Sequence, residues 1–194
     1  MGVFMEKNRF ILFDRDGVIN IEKFYLYKIE DFEYESGVIE GLEKLKKLGY
    51  RFLIITNQAG IARGYYTEED YLKLEKFITE DLKNKGIKIE KTYYCPHHPE
   101  GKENYGIECD CRKPNTGNFL KAIEEFQIDV KKSFMIGDRI TDLIPAEKLG
   151  FKTVLVKTGY GMKNISKLAD NGLKSLVVGS ISEFGDFLKE NGAM

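Results

Sequence analysis

The sequence predicts an α/β protein with a doubly wound, mostly parallel sheet and helices on both faces. Three observations carry that prediction. Short apolar runs alternate with stretches of helical periodicity, an order that lays strands side by side with helices over them. The runs are nearly continuous, as in Phe52-Leu53-Ile54-Ile55, which suits strands covered on both faces. Three of them end in polar groups, Asp14/Asp16, Thr56/Asn57 and Asp138/Asp142. The carboxyl ends of strands are where open α/β sheets bind ligands. At 194 residues, the chain is expected to form a single domain over 1–194.

Ile11-Leu12-Phe13 reads as the first strand and stops at Asp14-Arg15-Asp16-Gly17. Strand side chains alternate faces, so the two acids converge only if the chain turns there, which Gly17 permits. Val38, Leu42, Leu45 and Leu48 recur at helical spacing, with Gly49 as a stop. Phe52–Ile55 is the second strand. Thr67 and Asp70 have the spacing of a capping box. It opens a helix whose Leu74, Phe77, Ile78 and Leu82 share a face, ending near Gly86. Thr92-Tyr93-Tyr94 predicts a third strand, followed by an irregular stretch from Cys95 to Pro114. Phe119, Leu120, Ile123 and Phe126 mark a helix, and Phe134-Met135-Ile136 a fourth strand ending at Gly137-Asp138. A short helix runs to about Leu149-Gly150, and Thr153–Val156 is the fifth strand. Leu176–Val178 and Ile181–Leu188 add a strand and a packing helix.

Thirty basic against thirty-one acidic residues give no global field for nucleic acid or an anionic membrane. No apolar stretch has transmembrane length, and the start lacks a secretory pattern, so a cytoplasmic protein is expected. A monomer is the economical expectation. Three cysteines, two of them one residue apart, do not form a disulfide framework.

Two close carboxylates repel unless a cation, a proton or a donor separates them. Asp14/Asp16 therefore asks for a metal or for a division between nucleophile and acid. Carboxylates from two strand ends suit Mg²⁺ better than a soft metal, and Lys113 with Thr56 could neutralise an oxyanion. Carboxylate, hard cation, lysine and hydroxyl are the parts of phosphoryl transfer through an aspartyl-phosphate. Taken singly, Asp138 could be a cap, Thr56-Asn57 a loop and Lys113 a solvated lysine. Together, Asp14-Arg15-Asp16-Gly17, Thr56-Asn57, Lys113 and Gly137-Asp138-x-x-x-Asp142 resemble the haloacid dehalogenase superfamily of phosphatases. That resemblance implies a Rossmann-like fold without a large cap, with Asp14 as nucleophile. Asp16 would be acid then base, and its environment is expected to hold its pKa above that of Asp14. Mg²⁺ would sit among Asp14, the Asp16 carbonyl and Asp138. Thr56 and Lys113 would stabilise phosphoryl oxygens, and Asp142 would orient the metal shell.

Every cysteine and histidine lies between residues 95 and 111, as Cys95-Pro96-His97-His98 and Cys109-Asp110-Cys111. Four N/S ligands suit a closed, structural Zn²⁺ site. Cys-x-His…Cys-x-Cys-Arg-Lys-Pro resembles the histidinol-phosphatase and heptose-bisphosphate-phosphatase branch. There Cys95, His97, Cys109 and Cys111 would bind zinc, with His98 as the competing ligand. The loop would place Arg112-Lys113 on the substrate.

Thr56 to Thr67, with its Ile-Ala-Arg-Gly run, resembles the heptose-bisphosphate side of that branch. This implies removal of the C7 phosphate from a heptose 1,7-bisphosphate, a small-molecule substrate, in heptose precursor biosynthesis. Asn57, Gln58 and Ala59 would then line the substrate site. Arg63, Arg112 and Arg139 are candidates for the uncleaved phosphate, because guanidinium groups grip phosphate through paired hydrogen bonds. Glu22, Lys23, Phe24 and Tyr25 would line the sugar pocket, although Phe24-Tyr25-Leu26 stands where the family usually has Gly-Tyr-Val. The alternatives are a histidinol-phosphate phosphatase, which should prefer acidic pocket residues, a polynucleotide 3′-phosphatase, disfavoured by the balanced charge, and an inactive zinc-stabilised binding module, disfavoured because no catalytic part is missing.

Overall fold

The structure, a computed structural model, describes residues 8–192. Its strands are β1 (Phe10–Phe13), β2 (Arg51–Asn57), β3 (Ile89–Cys95), β4 (Phe134–Gly137), β5 (Lys152–Val156) and β6 (Leu176–Val178). All neighbours pair in parallel, in the order β3-β2-β1-β4-β5-β6. The chain steps outward from β1 to β3, then returns to build the other half from β4. The reversal leaves a crevice above the carboxyl ends of β1 and β4. Phe13 pairs with Ile54 on one side and Ile136 on the other. Asp14 emerges at that crevice, its amide donating to the Ile136 carbonyl at 3.0 Å.

Alternation along the strands sorts the core into two layers. Ile11, Phe13, Phe52, Ile136 and Val154 face one side. There they meet Leu42 and Leu45 of α1 (Val38–Lys47), Leu74 and Ile78 of α3 (Glu68–Asn84), and Phe184 and Leu188 of α8 (Ile181–Asn191). Phe10, Leu12, Leu53, Ile55, Met135 and Leu155 face the other side. Their cover is α4 (Gly117–Phe126), α5 (Ile140–Lys148) and α7 (Lys167–Asp170), through Phe119, Leu143 and Leu168. The capping box on α3 forms: Asp70 N donates to Thr67 Oγ1 at 3.1 Å and Thr67 N to Asp70 Oδ2 at 3.0 Å.

Three short helices, α2 (Ala59–Arg63), α6 (Gly161–Asn164) and α7, escape sequence periodicity because none spans enough turns to show one. Leu120, grouped with the apolar face of α4, is exposed. Phe119, Ala122, Ile123 and Phe126 occupy the core-facing arc, and Leu120 lies about 100° round the helix from Phe119. The fold is the expected doubly wound parallel sheet with helices on both faces, and among the described residues no helix is long and apolar enough to cross a membrane.

Candidate active site

A pocket of about 460 Å³ opens over the β1/β4 crevice. Its floor is a cluster of buried charges. Lys113 is buried, and its Nζ lies 2.9 Å from Asp14 Oδ1 and 2.8 Å from Asp142 Oδ1, while donating to the Ile55 carbonyl at 2.7 Å. Burial alone would drive the ammonium toward neutrality, but the two carboxylates outweigh it and raise its pKa. Asp14 is pushed up to about 6, chiefly by burial, with Asp142 and Asp16 adding to it and Lys113 opposing. Burial, Asp142 and Asp14 together push Asp138 up to about 8.

One lysine does not balance three acids, and the imbalance marks where a cation fits. Oxygens of Asp14, Asp138 and Asp142 lie within 4.8 Å of one another. Asp138 Oδ1 is buried without a hydrogen bond, while Oδ2 accepts from Tyr160 N at 2.7 Å. Gly17 and Gly159, both at positive φ, make room for this carboxylate: a Cβ on either would stand 2.5 or 2.3 Å from Asp138 Oδ2. An all-oxygen, anionic cradle of this kind suits a hard divalent ion such as Mg²⁺.

The Thr56-Asn57-Gln58 turn at the end of β2 is fully bonded. Asn57 grips the peptide of Lys113 with both ends of its amide: Nδ2 donates to the Lys113 carbonyl and Oδ1 accepts from its N–H, each at 3.0 Å. Gln58 Nε2 donates to Thr56 Oγ1 at 3.0 Å and to Asp16 Oδ2 at 2.9 Å, while its Oε1 accepts from Tyr66 OH at 2.6 Å. Asn57 and Gln58 do line the pocket, but their polar atoms are committed to holding neighbours in place.

Asp16 corrects a sequence expectation. Burial raises its pKa, but the Arg15 charge and hydrogen bonds from Asn20, Arg15 and Gln58 outweigh burial and lower it. Its pKa therefore lies below that of Asp14, the reverse of the expected order. The cause is Arg15, the largest fully buried side chain. Arg15 NH2 donates to Asp16 Oδ1 at 2.9 Å, and NH1 lies 3.9 Å from Glu75 Oε2. Its guanidinium carbon stands 5.5 Å from the Tyr71 ring centroid. Adjacency in the motif hides this arrangement, because the compensating Glu75 and Tyr71 sit on α3.

Around the rim, Arg63, Arg112 and Arg139 all line the pocket, with Glu22, Phe24, Tyr25 and Ala59. Arg139 lies over the Tyr160 ring at 3.7 Å and reaches Glu22 Oε2 at 3.4 Å. Arg112 NH1 donates to the His97 carbonyl at 3.2 Å. Lys23 does not join them: its ammonium donates to the Asp31 carbonyl at 2.7 Å and pairs with Glu33, so it anchors the loop. Tyr66, Thr141 and Tyr160 also line the pocket. Tyr66 and Thr141 lie within stretches already singled out, but at positions to which those motifs give no role, and no motif surrounds Tyr160.

The loop after β3 gathers Cys95, His97, Cys109 and Cys111, with ligand atoms within 4.8 Å of one another. The thiols approach at 3.0 Å (Cys95 to Cys111), 3.2 Å (Cys109 to Cys111) and 3.4 Å (Cys95 to Cys109), and all three are free. His97 Nδ1 lies 3.4 Å from Cys111 Sγ. His98 turns away: its Nδ1 accepts from Glu100 N at 3.1 Å and its Nε2 stands 3.3 Å from Arg63 NH2. Three sulfurs and one imidazole at one point could hold a tetrahedral metal ion.

Comparison with known proteins agrees with this geometry. The family described as HAD-hyrolase-like matches residues 110–183. The D-glycero-beta-D-manno-heptose-1,7-bisphosphate 7-phosphatase of Pasteurella multocida is 42% identical over 180 residues, covering 92% of this chain and 96% of that protein. The D-glycero-alpha-D-manno-heptose-1,7-bisphosphate 7-phosphatase of Photorhabdus laumondii is 49% identical over 149 residues, 76% of this chain and 81% of that protein. Among solved structures, the D,D-heptose 1,7-bisphosphate phosphatase from B. bronchiseptica, complexed with magnesium and phosphate, superposes with a TM-score of 0.82 at 26% identity, over 95% of this chain and 99% of that one.

Proposed function

The chain belongs to the heptose-1,7-bisphosphate 7-phosphatase family of haloacid-dehalogenase-like hydrolases, and from that premise we propose that it removes the C7 phosphate from a D-glycero-D-manno-heptose 1,7-bisphosphate. The observation that carries the proposal is the floor of the pocket. Asp14 stands against Lys113 within a cradle of acids, below a rim of three arginines.

Asp14 is the nucleophile. Its free carboxylate oxygen attacks phosphorus, the bond from phosphorus to the sugar oxygen breaks, and the leaving oxygen takes a proton from the Asp16 carboxyl. Water then attacks the aspartyl-phosphate. Asp16 accepts the water's proton, and the Asp14–phosphorus bond breaks to release phosphate. Because Arg15, Asn20 and Gln58 favour the ionised form, Asp16 is better suited to the second half-reaction, and its donor role draws on a minor protonated population. Lys113 and Thr56 face the phosphoryl oxygens, and Asp142 fixes Lys113. Mg²⁺ would be held by Asp14, Asp138 and the Asp16 carbonyl, where it would neutralise charge on the transferring group. Arg63 and Arg112 are assigned to the phosphate that stays. Cys95, His97, Cys109 and Cys111 are assigned to a structural Zn²⁺ that holds the Arg112-Lys113 segment. We read the chain as one domain and a cytoplasmic monomer.

A panel of both heptose bisphosphate anomers, fructose 1,6-bisphosphate and histidinol phosphate tests this reading. A heptose bisphosphate should lead histidinol phosphate in kcat/KM by roughly a hundredfold, the scale of losing one or two charge-assisted hydrogen bonds to partly exposed arginines. Asp14→Asn should abolish turnover while the protein stays folded. Preference for histidinol phosphate, or turnover by that variant, would refute it.

A further inference from the structure

Phe24 and Tyr25 are consecutive non-glycine residues at positive φ, 52° and 69°. In that region the side chain crowds its own backbone, and such outliers concentrate where a loop is held for a purpose. Phe24 is also 73% exposed, more than any other large apolar side chain described. Its ring meets Tyr160 edge-on, with centroids 6.3 Å apart and planes at 87°.

The surrounding contacts hold the turn in this shape. Phe24 N donates to Glu22 Oε1 at 2.8 Å. Lys23 reaches outward to the Asp31 carbonyl and Glu33. The Tyr25 ring packs on Tyr65 at 4.6 Å. The loop is thus tied to Asp31 and to Tyr65, while the Phe24 ring stays exposed in the pocket lining. Glu22, the same residue that fixes Phe24 N, also receives Arg139, which lies over Tyr160. Apart from Ala59, Phe24 is the one lining residue whose side chain is wholly apolar, the others being charged, polar or tyrosine.

We propose that Phe24 is a specificity-determining residue whose ring packs against the C–H face of a sugar ring, selecting cyclic sugar phosphates over acyclic phosphate monoesters. Charged groups at floor and rim recognise phosphates and do not distinguish what joins them. An aromatic face does, because a pyranose or furanose presents a flat C–H surface and an open chain does not. The proposal rests on the phosphatase reading above and deepens it.

The test compares the wild type with Phe24→Gly and Phe24→Tyr on three substrates: heptose bisphosphate, fructose 1,6-bisphosphate and glycerol phosphate. Phe24→Gly should lower kcat/KM for the two cyclic esters about five- to tenfold more than for glycerol phosphate, the scale of one aromatic contact, with the loss in KM. Phe24→Tyr should restore the wild-type ratio. Equal losses on all three substrates, or a loss confined to kcat, would overturn the proposal. A wild-type enzyme that ignores heptose bisphosphate but loses fructose bisphosphate selectivity on Phe24→Gly would refute the heptose reading while upholding the ring's role.

Discussion

Asp14 and Asp138 are held above the ordinary carboxylate range, at about 6 and about 8, chiefly by burial and then by Asp142, with Asp14 adding to the rise at Asp138. A bound divalent ion needs both ionised, so binding must release protons wherever the free protein carries them. Affinity for Mg²⁺ should therefore strengthen about tenfold per pH unit between pH 6 and 8, then level off. The Mg²⁺ concentration for half-maximal turnover reads this directly, and a flat dependence would contradict it. Stability of the metal-free protein runs the opposite way. Both folded values exceed the ordinary carboxylate value of 3.8, so the folded protein binds more protons and loses stability as pH rises from there to about 8. Mg²⁺ should accordingly raise Tm more at pH 8 than at pH 6. At this scale the sequence revealed groups that gather at the crevice, because Asp14, Thr56 and Asp138 each close an apolar run that reads as a buried strand. It concealed the partners that tune them. Arg15 and Asp16 are neighbours in the chain, but the Glu75 and Tyr71 that complete their surroundings lie a helix away.

Among the elements, the end of β2 has an unusual duty, since Asn57 pairs with both polar atoms of the Lys113 peptide as an adjacent strand would. Asn57→Ala would leave an N–H and a carbonyl without partners in a half-buried place and free the lysine to drift. The expected cost is about 1–3 kcal/mol in denaturant unfolding, with turnover down at least about tenfold through Lys113 misplacement. Normal turnover in a stable variant would show that Lys113 is positioned by Asp14 and Asp142 alone. Strands and long helices were legible because burial imposes alternation or a 3.6-residue period over enough positions to detect. The capping box of α3 was legible from two side chains. The Phe24-Tyr25 turn was not, since its backbone conformation runs against the preference of both residues, and α2 was too short to register.

Over the whole molecule, segments far apart in sequence meet because the chain reverses beside β1, so one crevice collects the ends of β1, β2 and β4 with the loop before α4. That loop has little apolar packing of its own and closes on Cys95, His97, Cys109 and Cys111. Its exit bears Arg112, which donates to the His97 carbonyl, and Lys113. Removing zinc with a chelator, verified by metal analysis, should lower Tm by several degrees and raise KM, because the arginine loses its support. Unchanged melting would remove the structural role of the cluster. The doubly wound parallel class was legible in the alternation of elements, whereas the strand order came only from the structure, as did the approach of the His97 ring, and not that of His98, to the three thiols. The wholly buried Arg15, set between Asp16 and the buried Glu75, has an evolutionary consequence. A lineage that lost this arginine alone would pass through an ancestor with Glu75 uncompensated inside its core, so positions 15 and 75 should be inherited together or exchanged together.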